Sequence, residues 1–379
     1  MEDYLNERKE EMLSLLARLV NMDSGSHDKN GVDQVGSILK SIYEKLNFYV
    51  EVVEEGEVGN HYILRHQDAV DPEILLVAHL DTVFPEGTAS ARPFKIKGNR
   101  AYGPGVIDMK SSLVSLIFAV KALQAFQMCG YKNIQIILNS DEEIGSPTSK
   151  NIIEKYAAKS KYALIMEPAR KDGSVVTARW GGGRYTIYVK GKSAHSGIEP
   201  ERGKSAIEEL GHKIVKLHEL SSQEKGINVN VGLIEGGTAV NTVASEAIAH
   251  VDLRIRNQSQ AQVLEEKMRE LSTTPDVLGT TITLEGGIER PPMEKTEQTE
   301  RLLHVVQQVG NEMGLKITDT ATGGGSDASF TASKIPTIDG LGPVGGNAHS
   351  ENEYLEIPTL VQRTCLLASV MQRLTENGL

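Results

Sequence analysis

The sequence predicts an α/β fold in two parts: a discontinuous domain over residues 1–180 and 291–379, built on a sheet covered by helices, and a small α+β domain inserted at 181–290. Three observations carry this. Continuous apolar runs at 74–79 (ILLVAH) and 134–139 (IQIILN) read as central strands buried on both faces. Around them lie segments of helical period, the alternation that crossover helices produce. From Gly181 the order changes to β-α-β-β-α-β, and beyond Arg290-Pro291-Pro292 the α/β alternation returns. A chain of 379 residues also exceeds what one hydrophobic core usually supports.

Taken in order, residues 3–20 place Leu5, Met12, Leu16 and Leu19 on one helical face, and residues 31–46 repeat the pattern with Val35, Ile38, Leu39 and Ile42. Both predict surface helices. The strand at 74–79 ends on His79. A helix at 110–126, a strand at 134–139, a helix at 148–158 and a strand at 162–166 continue the alternation. In such sheets ligands gather at the carboxyl ends of the strands, where His79, Asp141 to Glu143 and Glu167 all fall. The insert reads as strand 184–190, helix 204–220, strands 227–234 and 247–256, helix 260–271 and strand 280–285, the split βαβ of a ferredoxin-like domain. A helix at 300–313, a glycine-rich loop and a helix at 358–373 complete the large domain.

A net charge of -11 with 5% aromatic residues gives neither the basic surface nor the stacking platform of a nucleic-acid binder. The opening segment MEDYLNERKEEMLSLLARLV mixes charges with leucines, and no apolar run of about 18 residues occurs, so neither a signal peptide nor a membrane span is expected. Cys129 and Cys365 are expected as reduced core thiols in a cytoplasmic protein.

Several residues carry possible chemistry. His79-Leu80-Asp81 puts an imidazole and a carboxylate on one side of an extended backbone. A metal-bound histidine uses such a carboxylate on its other ring nitrogen, and a surface ion pair has the same spacing. Asp108 follows a glycine- and proline-rich loop and precedes a helix, which suits a closely approaching ligand or equally an N-cap. Asp141-Glu142-Glu143 is an awkward way to end an apolar strand without a cation, unless the loop is solvated. Glu167 closes the next strand and His349 follows a glycine-rich loop, each with an ordinary surface reading. Together, two histidines and several carboxylates recur on one rim of one sheet. That donor set suits two divalent ions bridged by a carboxylate.

The separated motifs AHLDTVFPEG, AYGPGVIDMK, LNSDEEIGS, IMEP, GKSAHSG, GGGSDASF and AHSENEY make the chain resemble the co-catalytic dizinc metallopeptidases. These include glutamate carboxypeptidase, succinyl-diaminopimelate desuccinylase, acetylornithine deacetylase, aminoacylase and peptidase T. The likeness covers nearly the whole chain and is strongest to glutamate carboxypeptidase. It implies a mixed sheet of zinc-exopeptidase type and two Zn²⁺ per chain, with Co²⁺ or Mn²⁺ also accepted by a carboxylate-rich site. By the resemblance, His79 and Glu167 hold one metal, Glu143 and His349 the other, and Asp108 bridges both. Asp81 stands behind His79, Glu142 is the general base toward a water shared by the metals, and the peptide Asp108-Met109 is cis.

The same resemblance implies a homodimer formed through the insert, with His195 reaching the partner's active site and Asn241 adding an amide to that region. Arg290 matches an arginine that grips a substrate α-carboxylate, a task suited to a bidentate guanidinium. The loop Gly323-Gly324-Gly325-Ser326-Asp327 lacks the GK[ST] of a phosphate cradle, so Gly324 and Gly325 are read as lining the substrate pocket. A polar loop histidine, a surface arginine and a structural tight loop are the plainer readings of these three. The implied activity is hydrolysis of an amide bond next to an amino-acid carboxylate in a small peptide, in the manner of a carboxypeptidase. Deacylation of an N-acyl amino acid uses the same chemistry and is the second reading. A small-molecule-binding protein on the same fold is the third, against which every matching ligand and the base are present.

Overall fold

Apolar side chains on both faces place Ile74–His79 and Ile134–Asn139 at the centre of a sheet, and every residue of both strands is buried. They run parallel, with His79 beside Asn139. Tyr162–Ile165 pairs in parallel with the other side of Ile74–His79, and Thr337–Ile338 lies beyond it. On the opposite flank His61–His66 and then Phe48–Val53 join antiparallel, giving a mixed sheet of six strands. These two flanking strands escape the sequence reading because HYILRH and FYVEVV carry charged or polar residues within short apolar runs. The parallel centre brings the carboxyl ends of three strands to one rim.

The computed structural model describes all residues, 1–379, and divides the chain into two units. The first comprises Met1–Ala178, Lys295–Thr322 and Ser326–Leu379, and the second Arg179–Glu294 with Gly323–Gly325. In the first, Ser111–Ala125 is apolar all round and nearly every residue of it is buried, as befits a helix inside the core. Ile357–Asn377 packs against it. The stretch at 3–20 is two helices, Glu2–Glu7 and Lys9–Val20, because the chain turns at Arg8. The Arg8 guanidinium bonds the Tyr4 carbonyl at 3.0 Å and lies 3.6 Å from the centre of the Tyr4 ring. Leu5, Met12, Leu16 and Leu19 are fully buried on the face the spacing assigns them.

A second, smaller sheet of four strands orders Gly345–Gly346, Tyr354–Glu356, Arg100–Tyr102 and Lys95–Lys97. Its strands are two or three residues long, too short for any periodicity to show. It matters because the loop carrying Asp108 leaves one strand and the loop carrying His349 joins two others.

The second unit is an antiparallel sheet in the order Asn228–Gly236, Glu246–Ile255, Gly181–Lys190, Thr281–Arg290. Helices Ala206–Glu219 and Gln258–Thr273 share its core, where Tyr185, Ile187 and Val189 alternate inward. Ser205 caps the first helix through the Glu208 amide, and Asn257 with Gln260 forms a capping box on the second. This is the ferredoxin-like pattern, with strands longer than the sequence alone delimits.

Both cysteines are free, but only Cys365 is buried. Cys129 is exposed, contrary to a core thiol, because it sits in the turn after Ser111–Ala125 rather than inside the helix. No helix is long and apolar enough to cross a membrane.

Arg363 is buried with carbonyl partners: Nε donates to Gly342 at 3.0 Å, Nη1 to Gly173 at 3.2 Å and Nη2 to Gly340 at 2.6 Å. Burial lowers its pKa to about 10. Arg363→Met strands those carbonyls, so urea unfolding of this unit is expected to show a loss of about 3 kcal/mol.

Candidate metal centre

His79 ends its strand with the ring turned along the rim. Nδ1 lies 2.9 Å from the Asp81 backbone carbonyl, while the Asp81 carboxylate is 3.5 Å away. The carbonyl is the nearer partner, and the carboxylate stands just behind it. A proton held on Nδ1 by that carbonyl leaves Nε2 as the donor atom. Nε2 faces Asp108 Oδ1 at 3.1 Å and Glu167 Oε1 at 3.7 Å.

The Asp81 carboxylate has another task. It accepts Ser26 Oγ at 2.7 Å and the backbone amides of Glu142 and Glu143, each at 3.2 Å. It thereby holds the turn Glu142–Ile144 against the end of the neighbouring strand. The acidic run divides its labour: Asp141 turns inward and takes the amides and hydroxyls of Thr148 and Ser149. Glu142 and Glu143 remain at the rim.

Asp108 is no helix cap; Ser111–Ala125 begins three residues later with Lys110 as its N-cap. The peptide Asp108-Met109 is cis. Sequence reasoning missed what fixes this loop, the buried Glu353. Its Oε1 accepts the amides of Ile107 at 2.9 Å and Asp108 at 3.1 Å, and its Oε2 that of Gly105 at 3.2 Å. Burial pushes the Glu353 carboxyl up to about 7. The signal lay in AHSENEY, whose second glutamate enters the small sheet as His349 leaves it.

His349 adopts φ 63°, is half-exposed, and sets Nε2 3.2 Å from both Asp108 Oδ2 and Glu143 Oε2. The two oxygens of Asp108 thus face different histidines, with Glu167 beside one and Glu143 beside the other. One donor atom each of His79, Glu142 and Glu167 falls within 4.8 Å of the others, and the same holds for His79, Asp108 and Glu143.

The electrostatics show what this crowding costs. Burial, then the neighbouring Asp108 charge, lift the Glu167 pKa well above the carboxylate range, and burial lifts Glu143 as well. Burial alone would lower His79, but hydrogen bonds to Asp108 and Asp81 outweigh it and raise it well above the usual histidine range. Hydrogen bonds to Asp108 and Glu143 raise His349 to about 10. Asp108 itself is held low by both histidines against the effect of burial. Such a cluster gathers protons where it lacks other cations. Glu143 Oε1 is buried without a hydrogen-bond partner, an orphaned carboxyl oxygen. The donors therefore fit two divalent ions: His79 and Glu167 for one, His349 and Glu143 for the other, with Asp108 between.

The second unit brings other candidates together. His195 pairs with Thr242, and the Ser196 amide donates to the Asn241 carbonyl at 3.0 Å, so His195 and Asn241 are neighbours, both exposed. Arg290 ends its strand beside Gly325, where an added Cβ would come 2.9 Å from Arg290 Cδ. The carbonyls of Gly324 and Gly325 accept the Arg179 guanidinium at 2.9 and 3.3 Å. Arg179 is a buried anchor that no periodicity or motif marks in the sequence.

Comparison with known proteins identifies the family and the fold. The model of peptidase family M20/M25/M40 matches residues 75–373. Carboxypeptidase G2 of Pseudomonas sp. (strain RS-16) is 27% identical over 376 residues, 96% of this chain and 89% of the relative. Among solved structures, the aminopeptidase PepT of Bacillus cereus superposes with a TM-score of 0.79 at 22% identity, covering 97% of this chain and 99% of that one. The YXEP protein of Bacillus subtilis, described as a dinuclear metal-binding peptidase of the M20 family, gives 0.71 at 15% identity, covering 98% and 99%. A model match over most of the chain, a mixed sheet and a rim of histidines and carboxylates lead to one conclusion: this chain belongs to peptidase family M20/M25/M40 and is a metal-dependent hydrolase.

Proposed function

We propose that the enzyme hydrolyses the amide bond next to an amino-acid carboxylate, as a carboxypeptidase of small peptides, with two Zn²⁺ per chain. The observation that carries this is Asp108, each of whose oxygens faces a different histidine while Glu142 stands at the same rim. Two divalent ions held there supply Lewis acidity to the carbonyl and lower the pKa of an attacking water toward neutrality. Co²⁺ and Mn²⁺ suit the same donors.

The chain's own groups do the rest. Glu142 takes the proton of the attacking water and gives it to the departing amine. Asp81 holds the amide of Glu142 and fixes the tautomer of His79 through its carbonyl. Arg290 grips the substrate α-carboxylate, and Gly324 and Gly325 line that end of the substrate. His195 and Asn241 act on the carbonyl oxygen from the partner subunit of a homodimer formed through the inserted domain. Two free cysteines agree with a reducing, cytoplasmic address.

Two outcomes follow. Glu142→Gln is expected to keep two metals per chain by elemental analysis and to lose about 10²- to 10⁴-fold in kcat. Loss of one stoichiometric metal would instead make Glu142 a ligand and overturn its assignment as base.

Zinc binding must also displace protons. His349, raised to about 10, is protonated at neutral pH in the metal-free chain and coordinates only when neutral. Titration calorimetry at pH 7.5 in buffers of different ionisation enthalpy is expected to show at least about one proton released per chain. Affinity should rise with pH below the His349 pKa. A proton-neutral titration would contradict the assignment of His349.

A further inference from the structure

A cavity of about 680 Å³ opens beside Glu143, with one wall made by Gly25–Asn30 and the other by Thr82–Glu86. We infer that it is the subsite for the acyl half of the substrate and that it selects an apolar acyl group larger than acetyl and without a carboxylate of its own. The inference rests on the proposed hydrolysis at the neighbouring rim and adds to it the identity of the group on the carbonyl side.

The walls are built before any substrate arrives. Thr82 donates its amide to the Ser24 carbonyl at 2.8 Å, and the Ser26 amide donates to the Thr82 carbonyl at 3.2 Å. A Cβ at Gly25 would stand 2.5 Å from the Phe84 carbonyl oxygen, so only glycine lets the two loops lie this close. Ser26 is tied further to the Asp81 carboxylate, which also holds the amides of Glu142 and Glu143. Cavity and rim therefore share one brace.

Orientation follows from the two glutamates. Both have a donor atom near His79, but Glu142 shares that neighbourhood with Glu167, whereas Glu143 shares it with Asp108 and lies 3.2 Å from His349. A proton delivered by Glu142 must reach the departing amine, so the amine half lies toward Glu167. The acyl half then points the other way, past Glu143, into the cavity that Glu143 borders.

Chemistry decides what fits. Val83 and Ile144 are apolar yet 42% and 38% exposed, one on a loop wall and one beside Glu143. Uncovered apolar side chains around a concavity favour an apolar ligand. The single lysine or arginine of the lining, Lys29, is already held by Asp33 and Asn60, each at 2.9 Å. Asp28 and Glu86 add negative charge, and the exposed His27 is the remaining ionisable group besides Glu143. A second carboxylate, as in a succinyl group, has no free lysine or arginine to meet there. An acetyl group leaves most of the volume unfilled.

The test uses the metal-loaded enzyme and the N-acetyl, N-succinyl and N-hexanoyl derivatives of one amino acid. The hexanoyl compound is expected to show kcat/KM at least about tenfold above the other two, the difference lying in KM. Val83→Asp should lower the hexanoyl-to-acetyl ratio and weaken binding of free hexanoate by titration calorimetry, while Val83→Lys should shift the ratio toward succinyl. Val83 is exposed, so both variants are expected to fold, which circular dichroism checks. Equal kcat/KM across the three compounds, or ratios unmoved by both variants, would overturn the subsite while leaving amide hydrolysis intact. No hydrolysis of any compound, nor of dipeptides, would overturn the proposed hydrolysis next to an amino-acid carboxylate and the subsite with it.

Discussion

Four carboxylates converge on the rim where parallel strands end, and their mutual repulsion is the constraint on which the rest of the structure depends. Asp108, Glu142, Glu143 and Glu167 approach two imidazoles closely enough that burial and charge drive proton affinities up across most of the cluster. No fold tolerates this arrangement for its own sake, because buried like charges oppose folding. The arrangement makes sense as a site whose missing charge is supplied by divalent cations. The pattern of contacts divides that charge into two places with Asp108 common to both.

Rigidity is imposed by a further set of carboxylates that stand behind the rim. Asp81 braces the turn of Glu142 and Glu143, Glu353 braces the loop of Asp108, and Asp141 braces the segment after the glutamates. Asp327 extends the scheme by accepting Asn139 Nδ2 at 2.7 Å and Ser146 Oγ at 2.5 Å. Each brace accepts backbone amides or short side chains, which are neutral donors. The proposed ligands can then carry charge toward divalent ions without being neutralised from behind. The same device joins the cavity beside Glu143 to the centre, since Ser26 and the two glutamates hang on one carboxylate.

The sequence announces the candidate ligands more clearly than their supports, for physical reasons. ILLVAH and IQIILN are buried on both faces, so their apolar runs are continuous and their ends can be placed to the residue. His79, Glu142, Glu143 and Glu167 inherit that placement. Strand HYILRH lies toward the flank of the sheet and mixes charge with apolar residues, and the small sheet around Tyr354–Glu356 is too short to show a period. Glu353 and Arg179 consequently leave no local mark, because what they hold is distant in sequence. The Asp81 reading shows the same limit in miniature. HxD spacing identifies the pair, but only the backbone path reveals that the Asp81 carbonyl also meets the imidazole and that its carboxylate also braces the glutamates.

The sharing of Asp108 between two ions is the central claim, and metal content measures it most directly. Elemental analysis of wild type and Asp108→Ala, each loaded with zinc and desalted, is expected to give two ions per chain for the first and fewer than about one for the second. A single ion in the wild type, or two retained by Asp108→Ala, would contradict the account.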